Sequence, residues 1–190
     1  MDEKAGSVDP EEGAAGPIEN GHPEPDSGAG TGDWSFRDTL AASIVTFIAG
    51  LIRLIRLSSP DTLVFDETYY AKDACWYVKV SSSICDTSSE ISQVHPPLAK
   101  WLIAIGIRIF GYDSFGWRIS AVVAGTIGVW LMYLLARKLL RSTLGATITS
   151  GLLALDFLHF VQSRTSMLDI FAVTFGTAAV LFCVYDRDRL

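Results

Sequence analysis

The sequence predicts an all-α fold: a polytopic membrane protein with about four transmembrane helices and one amphipathic helix lying in the interface within the first external loop. Three observations carry this. The 190 residues are 49% hydrophobic, yet residues 1–38 are almost devoid of apolar side chains, so the apolar content is concentrated in the remainder. Four stretches beyond that tail stay mostly apolar over about the 20 residues that a helix needs to cross a bilayer. A shorter stretch between the first two has helical periodicity with cations on one face.

The tail holds ten acids against Lys4 and Arg37, a net of 2 − 10 = −8, which leaves −6 + 8 = +2 for the rest of the chain. The overall acidity therefore belongs to the tail and carries no information about a substrate. Rich in Pro, Gly, Glu and Asp, residues 1–38 cannot bury enough surface to offset their conformational entropy, and they are expected to form a disordered cytoplasmic tail. The first apolar run is preceded by a long acidic segment rather than the short basic one of a signal peptide, so its helix is expected to act as an uncleaved anchor. No nucleic-acid partner is expected.

Residues 39–190 are expected to form the membrane part. The first crossing is placed at 40–57 and ends in Arg53 and Arg56. The external loop follows at 58–115. Within it, residues 97–110 are too short to cross. Leu98, Trp101, Leu102, Ile105 and Ile109 fall on one face, and Lys100, Ala104 and Arg108 on another, the pattern of a helix lying in the interface and begun by Pro96-Pro97. Further crossings are placed at 116–136, 142–160 and 167–185. Four crossings put Arg137, Lys138 and Arg141 on the cytoplasmic side with Arg187 and Arg189. The loop then faces the exterior of a cell membrane, together with a short turn at 162–169. Arg53, Arg56 and Arg118 are left near the outer surface. Arginine deep in a membrane costs about 2.5–3.5 kcal/mol on insertion scales, so these three are expected to face partners or a water-filled cavity.

Asp66-Glu67 is the feature most suggestive of chemistry. Adjacent side chains diverge by about 100° on a helix and point to opposite sides of an extended segment, so the two carboxylates are expected to take different roles. One could act as a base while the other pairs with Arg53, Arg56 or a ligand cation. Such a dipeptide in a loop is ordinarily a solvated pair; its place at a membrane exit, beside Phe65 and Tyr69-Tyr70, weighs against that. Arg53 and Arg118 are candidates to neutralise a carboxylate or bind a lipid phosphate, because a guanidinium offers paired donors to oxyanions. Arg56 is expected to snorkel. His95 is held extended by the proline after it and otherwise reads as a turn residue. Lys100 could meet a phosphate at headgroup level, although a lysine on a polar helix face is commonplace. The second outer turn adds Arg164 and Asp169. Asp156 and His159, three apart, are expected to be structural.

The three cysteines fit no zinc-ligand spacing. Cys75 and Cys85 share the polar loop. A bridge between them would add about 2–3 kcal/mol in an oxidising compartment, and two unpaired thiols are the alternative.

Taken in order, Arg53, Val64-Phe65-Asp66-Glu67, His95-Pro96-Pro97-Leu98-Ala99-Lys100, Gly111-Tyr112-Asp113, Arg118, Ser163-Arg164 and Met167-Leu168-Asp169 resemble the protein O-mannosyltransferases, membrane glycosyltransferases, from about residue 40 to the end of the chain. The tail and the modest loop look more like an actinobacterial member; a eukaryotic one would sit in the endoplasmic reticulum membrane. The resemblance implies transfer of mannose, with inversion, from polyprenyl phosphate mannose to Ser or Thr hydroxyls of secreted proteins, with the protein translocation machinery as a further partner. A phosphate leaves as a stable anion, so one base suffices, whereas a glycosidase needs two carboxylates.

By the same resemblance Asp66 is the base, Glu67 positions the acceptor or the arginines, and Arg53 and Arg118 stabilise phosphate charge. Lys100 and His95 stand at the lipid-phosphate entrance. No cofactor is implied with certainty, and a divalent metal is left open. The family's enzymes have more crossings, so the chain is expected to be an N-terminal portion with little activity alone. Two alternatives are another polyprenyl-phosphate sugar transferase of the same superfamily and a non-catalytic module that binds lipid phosphate or assembles with a partner.

Overall fold

A computed structural model describes residues 34–78 and 94–187, and the expected disorder of the tail falls outside the described residues apart from its last five positions. Seven helices and no strand occur among the described residues: α1 (Phe36–Leu54), α2 (Glu67–Val78), α3 (Pro97–Phe110), α4 (Ser114–Leu140), α5 (Thr143–Leu155), α6 (Phe157–Gln162) and α7 (Asp169–Arg187).

The 27-residue α4 is the hub, with α1, α3, α5 and α7 packed around it. At the standard rise it is about 40 Å long. Its buried positions include Gly116, Ala121, Ala124, Gly125 and Gly128, and small side chains let helix backbones approach closely. Gly106 of α3 sits so near the Gly116 carbonyl that a Cβ would have no room. Around this contact, Tyr70, Ala74 and Cys75 of α2, Ile103 and Ile107 of α3, Trp117 and Ala121 of α4, and Ile170 and Phe171 of α7 form the largest buried apolar cluster.

The outward surface is the reverse of a water-soluble bundle. On α1 the buried residues are Asp38, Ala42, Ala49 and Arg53, while Phe36 and Phe47 are 80% and 71% exposed. Leu144, Leu152 and Leu155 of α5 and Phe182 of α7 also point outward. Exposed apolar surface of this extent requires a cover, and α4 and α7 are each long and apolar enough to cross a membrane. The chain is thus an all-α membrane protein.

Four details differ from the sequence-based expectation. First, α1 begins at Phe36, where Ser35 and Asp38 form a capping box, so the end of the presumed tail is helical. Asp38 is buried and accepts from Arg137 Nε at 2.6 Å. Arg137 therefore joins α1 to α4, in addition to any part in the basic cluster.

Second, 142–160 is not one helix. α5 ends at Leu155 after 13 residues, about 20 Å, because Asp156 leaves helical geometry and its carboxylate caps α6 by accepting from the His159 amide at 2.8 Å. Third, the loop contains α2, whose buried Glu67, Tyr70, Ala71, Ala74 and Cys75 form a helical stripe. Fourth, α3 has the expected bounds with its faces differently used. Lys100, Ile103, Ala104 and Ile107 pack into the protein, and Leu98, Trp101, Ile105 and Ile109 face outward.

Candidate active site

The centre of the site is an ion pair with no spare capacity. Glu67 opens α2 and is fully buried; Arg118 lies one turn into α4 and is 1% exposed. Arg118 donates from Nε to Glu67 Oε1 and from Nη2 to Oε2, both at 2.8 Å. Its other three N–H groups reach the carbonyls of Leu57, Pro60 and Thr62 at 2.9–3.0 Å. All five guanidinium donors are engaged. Glu67 also accepts from the Val64 amide at 2.9 Å and the Ser166 amide at 3.0 Å. The pair thereby ties the 57–67 connection and the 163–169 turn to α4. The role expected of Arg118 as a phosphate ligand is not available to it in this arrangement, since it has no N–H left to offer. The arginine that Glu67 engages is Arg118, where the sequence reading of the acidic pair names Arg53 and Arg56.

Asp66 stands directly before this pair, half-buried, and no described cation forms a salt bridge with it. Phe65 precedes it with φ of 54°, a left-handed conformation unusual for a bulky residue, so the carboxylate is presented from a constrained turn. Tyr70, one helical turn on, is 7% exposed, and its amide donates to the Asp66 carbonyl at 3.1 Å. Burial, then the charges of Asp66 and Asp169, push the Tyr70 phenol above its ordinary pKa. The His95 ring stands edge-on to Tyr70 at 5.6 Å between centroids. Asp169, exposed at the start of α7, accepts from Gln162 Nε2 at 3.3 Å. Asp66 and His95 thus stand beside Tyr70, a residue the sequence reasoning passed over as merely flanking, and the Asp169 charge acts on its phenol.

The other expected cations turn inward. Lys100 is 1% exposed and pairs with Asp73 of α2 at 2.8 Å, which joins α2 to α3; it is not a headgroup-level lysine on a polar face. Arg164 donates from Nη2 to the carbonyls of Ile55 at 2.6 Å and Arg56 at 3.3 Å, closing the end of α1. Arg53, fully buried, donates to Ser163 Oγ (2.8 Å), Ala49 O (2.9 Å), Ala154 O (3.3 Å) and His159 Nδ1 (3.0 Å). It meets no carboxylate among the described residues. Both Arg53 and Arg164 lie over the Phe160 ring, at 5.5 and 5.3 Å. Cys75, fully buried on α2, is disulfide-bonded; Cys85 lies outside the described residues. Among the described residues, no three of His, Cys, Asp or Glu come together in a way that could hold a metal ion.

Asp73 and Ser166 were missed by the sequence reasoning although both hold the site. Asp73 carried no signal in the sequence, because the helix that places it beside Lys100 was not itself expected. Ser166 acts through a backbone amide and through its hydroxyl to the Trp117 carbonyl, and nothing in its side-chain chemistry announces that.

Comparison with known proteins gives a consistent picture. A family model described as dolichyl-phosphate-mannose-protein mannosyltransferase matches residues 94–186, and a second with the same description matches 43–117. A polyprenol-phosphate-mannose--protein mannosyltransferase of Mycolicibacterium smegmatis is 42% identical over 151 residues, covering 78% of this chain and 29% of the relative. The protein of the same name from Mycobacterium tuberculosis is 38% identical over 157 residues, 81% of this chain and 30% of the relative. An undecaprenyl phosphate-alpha-4-amino-4-deoxy-L-arabinose arabinosyl transferase of Pseudomonas aeruginosa is 35% identical over 159 residues, 82% of this chain and 29% of the relative. The chain thus spans under a third of the length of these curated relatives. No solved structure matches.

Proposed function

This chain belongs to the dolichyl-phosphate-mannose-protein mannosyltransferase family, and from that premise we propose that it forms the catalytic-base portion of an enzyme that moves mannose from polyprenyl phosphate mannose to a Ser or Thr hydroxyl of an exported protein. The observation that carries the reading is the asymmetry of the acidic pair. Glu67 is spent on Arg118, Val64 and Ser166, whereas Asp66 is half-buried and unpaired by any described cation. A base must reach its substrate's proton, and of the two only Asp66 is placed to do so. Attack by the deprotonated hydroxyl on the sugar carbon, opposite the departing phosphate, inverts the configuration there.

Arg118, Lys100 and Arg164 build the wall of the site instead of meeting the donor. The contacts that neutralise the leaving phosphate then come from His95 and from parts of the complete enzyme outside the described residues. We place α1, α4, the α5–α6 pair and α7 across a cell membrane, with α2 and α3 on the outer face, where exported acceptors arrive from the translocation machinery. Two features support four crossings: the outward apolar faces of α1 and α5, and the turning inward of Asp38 and Arg53, which removes charge from the lipid-facing side of α1.

Asp66→Asn in the protein as encoded in its host, assayed in native membranes with labelled polyprenyl phosphate mannose, is expected to lower transfer at least ~10³-fold with normal insertion. Near-normal transfer by that variant would refute the base assignment. The similarity to an arabinosyl transferase favours a second reading, in which the donor carries another sugar. Supplying polyprenyl phosphates bearing mannose or aminoarabinose to the same membranes distinguishes the two.

A further inference from the structure

Arg53 carries a charge that no described carboxylate answers, in a fully buried position. Its four contacts are to neutral groups, and three of them lie on one stretch of chain. The Ala154 carbonyl is left open because α5 stops at Leu155 before a fourth-residue amide can reach it. Arg53 supplies that donor, placing a cation at the negative end of α5. The Ser163 hydroxyl gives its hydrogen to the Phe160 carbonyl at 2.8 Å and accepts from Arg53 Nε on its lone pair. An arginine has no acceptor, so His159 Nδ1, 3.0 Å from Nη2, must be the bare nitrogen. The proton is then on Nε2, which is buried without a partner and faces Gly128 of α4. Gly125, one turn earlier, leaves no room for a Cβ against Ser163.

We propose that Arg53 is a positioning residue and not a ligand of the donor phosphate: it clamps the broken α5–α6 corner and so fixes the Ser163–Asp169 turn, locking His159 as the neutral Nε2–H tautomer. The turn matters because its Ser166 amide completes the Glu67 carboxylate and its Asp169 carries a negative charge that acts on Tyr70, next to the base. A guanidinium is suited to this work. Its planar fork reaches a hydroxyl, a carbonyl and an imidazole at fixed angles, which an ammonium cannot do.

The kinetic arm of the test rests on the mannosyltransferase reading; the spectroscopic arm does not. In the protein as encoded in its host, labelled with 15N-histidine in membranes, His159 is expected to show a protonated Nε2 and an unprotonated Nδ1. Arg53→Met is expected to release that lock and give mixed tautomers. The same variant is expected to lower kcat about 100-fold while the KM for the lipid donor stays within about twofold, and Ser163→Ala to lower kcat about tenfold in the same manner. A protonated Nδ1 in the unaltered protein overturns the proposal. So does a tenfold rise in donor KM with kcat unchanged in Arg53→Met. If Arg53→Met does not fold, the unaltered protein's histidine spectrum and the Ser163→Ala kinetics decide the matter. Absence of transfer by the unaltered protein would count against the transferase reading alone.

Discussion

Arg118 and Glu67 satisfy each other through two parallel hydrogen bonds of 2.8 Å, and what remains of each is consumed by backbone on either side. Nine-tenths or more of both side chains is inaccessible, so neither charge has solvent to fall back on. Removing one member of such a pair strands the other. Arg118→Lys keeps the charge but has three donors in place of five, leaving carbonyls and a carboxylate oxygen unmet. A loss of about 3–5 kcal/mol in stability is expected, read as a lower midpoint for thermal or denaturant unfolding in detergent. Asp66→Asn, at the next residue, is expected to leave that midpoint in place. Equal stability losses in the two variants would contradict the division of labour.

Lys100 and Asp73 make a second buried pair, between α3 and α2. Lys100→Met alone should leave a buried carboxylate uncompensated and cost about 3–5 kcal/mol, whereas Lys100→Met with Asp73→Leu should recover most of the loss. The double-mutant cycle measures the coupling directly. If instead Lys100 met a donor phosphate, the double variant would regain stability and still show a donor KM raised as far as the single one.

Tyr70 gives a prediction in pH. Its folded-state pKa is raised by burial and by the Asp66 and Asp169 carboxylates. Stability from the neutral phenol is therefore fully present below the unfolded value of about 10 and declines as pH rises from there through the folded value. Tyr112, raised by burial, acts in the same direction. Tyr70→Phe should accordingly reduce the dependence of the unfolding midpoint on pH above about 10 while leaving it unaltered near neutrality. An identical alkaline profile in the two proteins would show that the phenol does not ionise differently on unfolding.

Cys75 is bonded and buried in the cluster that holds α2 against α3, α4 and α7. With Cys183 free, we propose Cys85 as its partner. Non-reducing digestion should yield one peptide pair joining positions 75 and 85, and Cys85→Ser should lower stability by about 2–3 kcal/mol. Recovery of alkylated Cys85 after alkylation of the unreduced protein would exclude the pairing.

Helix existence was legible wherever the apolar run was long. The α3 bounds, the α4 span and the α7 span follow from periodicity, prolines and basic flanks. Adjacency made legible that Asp66 and Glu67 point apart and take different surroundings, but not which of the two would be held by an arginine. The destinations of the cations were not. Lys100, Arg53, Arg118 and Arg164 occupy positions where lipid phosphate and internal carbonyls offer the same kind of acceptor, and only packing decides between them. The α5–α6 break was also hidden, since Asp156 sits within an apolar stretch, and the donor that meets the carbonyl left open there, Arg53, lies about a hundred positions earlier. α2 escaped because its buried face is made of Glu67, Tyr70, Ala71, Asp73, Ala74 and Cys75, with no large aliphatic side chain among them.

Arg53 closes the end of α5 and Arg164 closes the end of α1, so each of two distant segments finishes the other. In time this is an asymmetric debt. Arg53 leaves the ribosome about a hundred residues before Ala154, His159 and Ser163, which at about 5–20 residues per second is a wait of roughly 5–20 s. During that interval the first helix holds a guanidinium with no acceptor beyond its own Ala49 carbonyl. The remaining donors of that guanidinium find their described acceptors only when α5 and α6 have been made, so the packing of α1 against this corner is completed after the segments that form it.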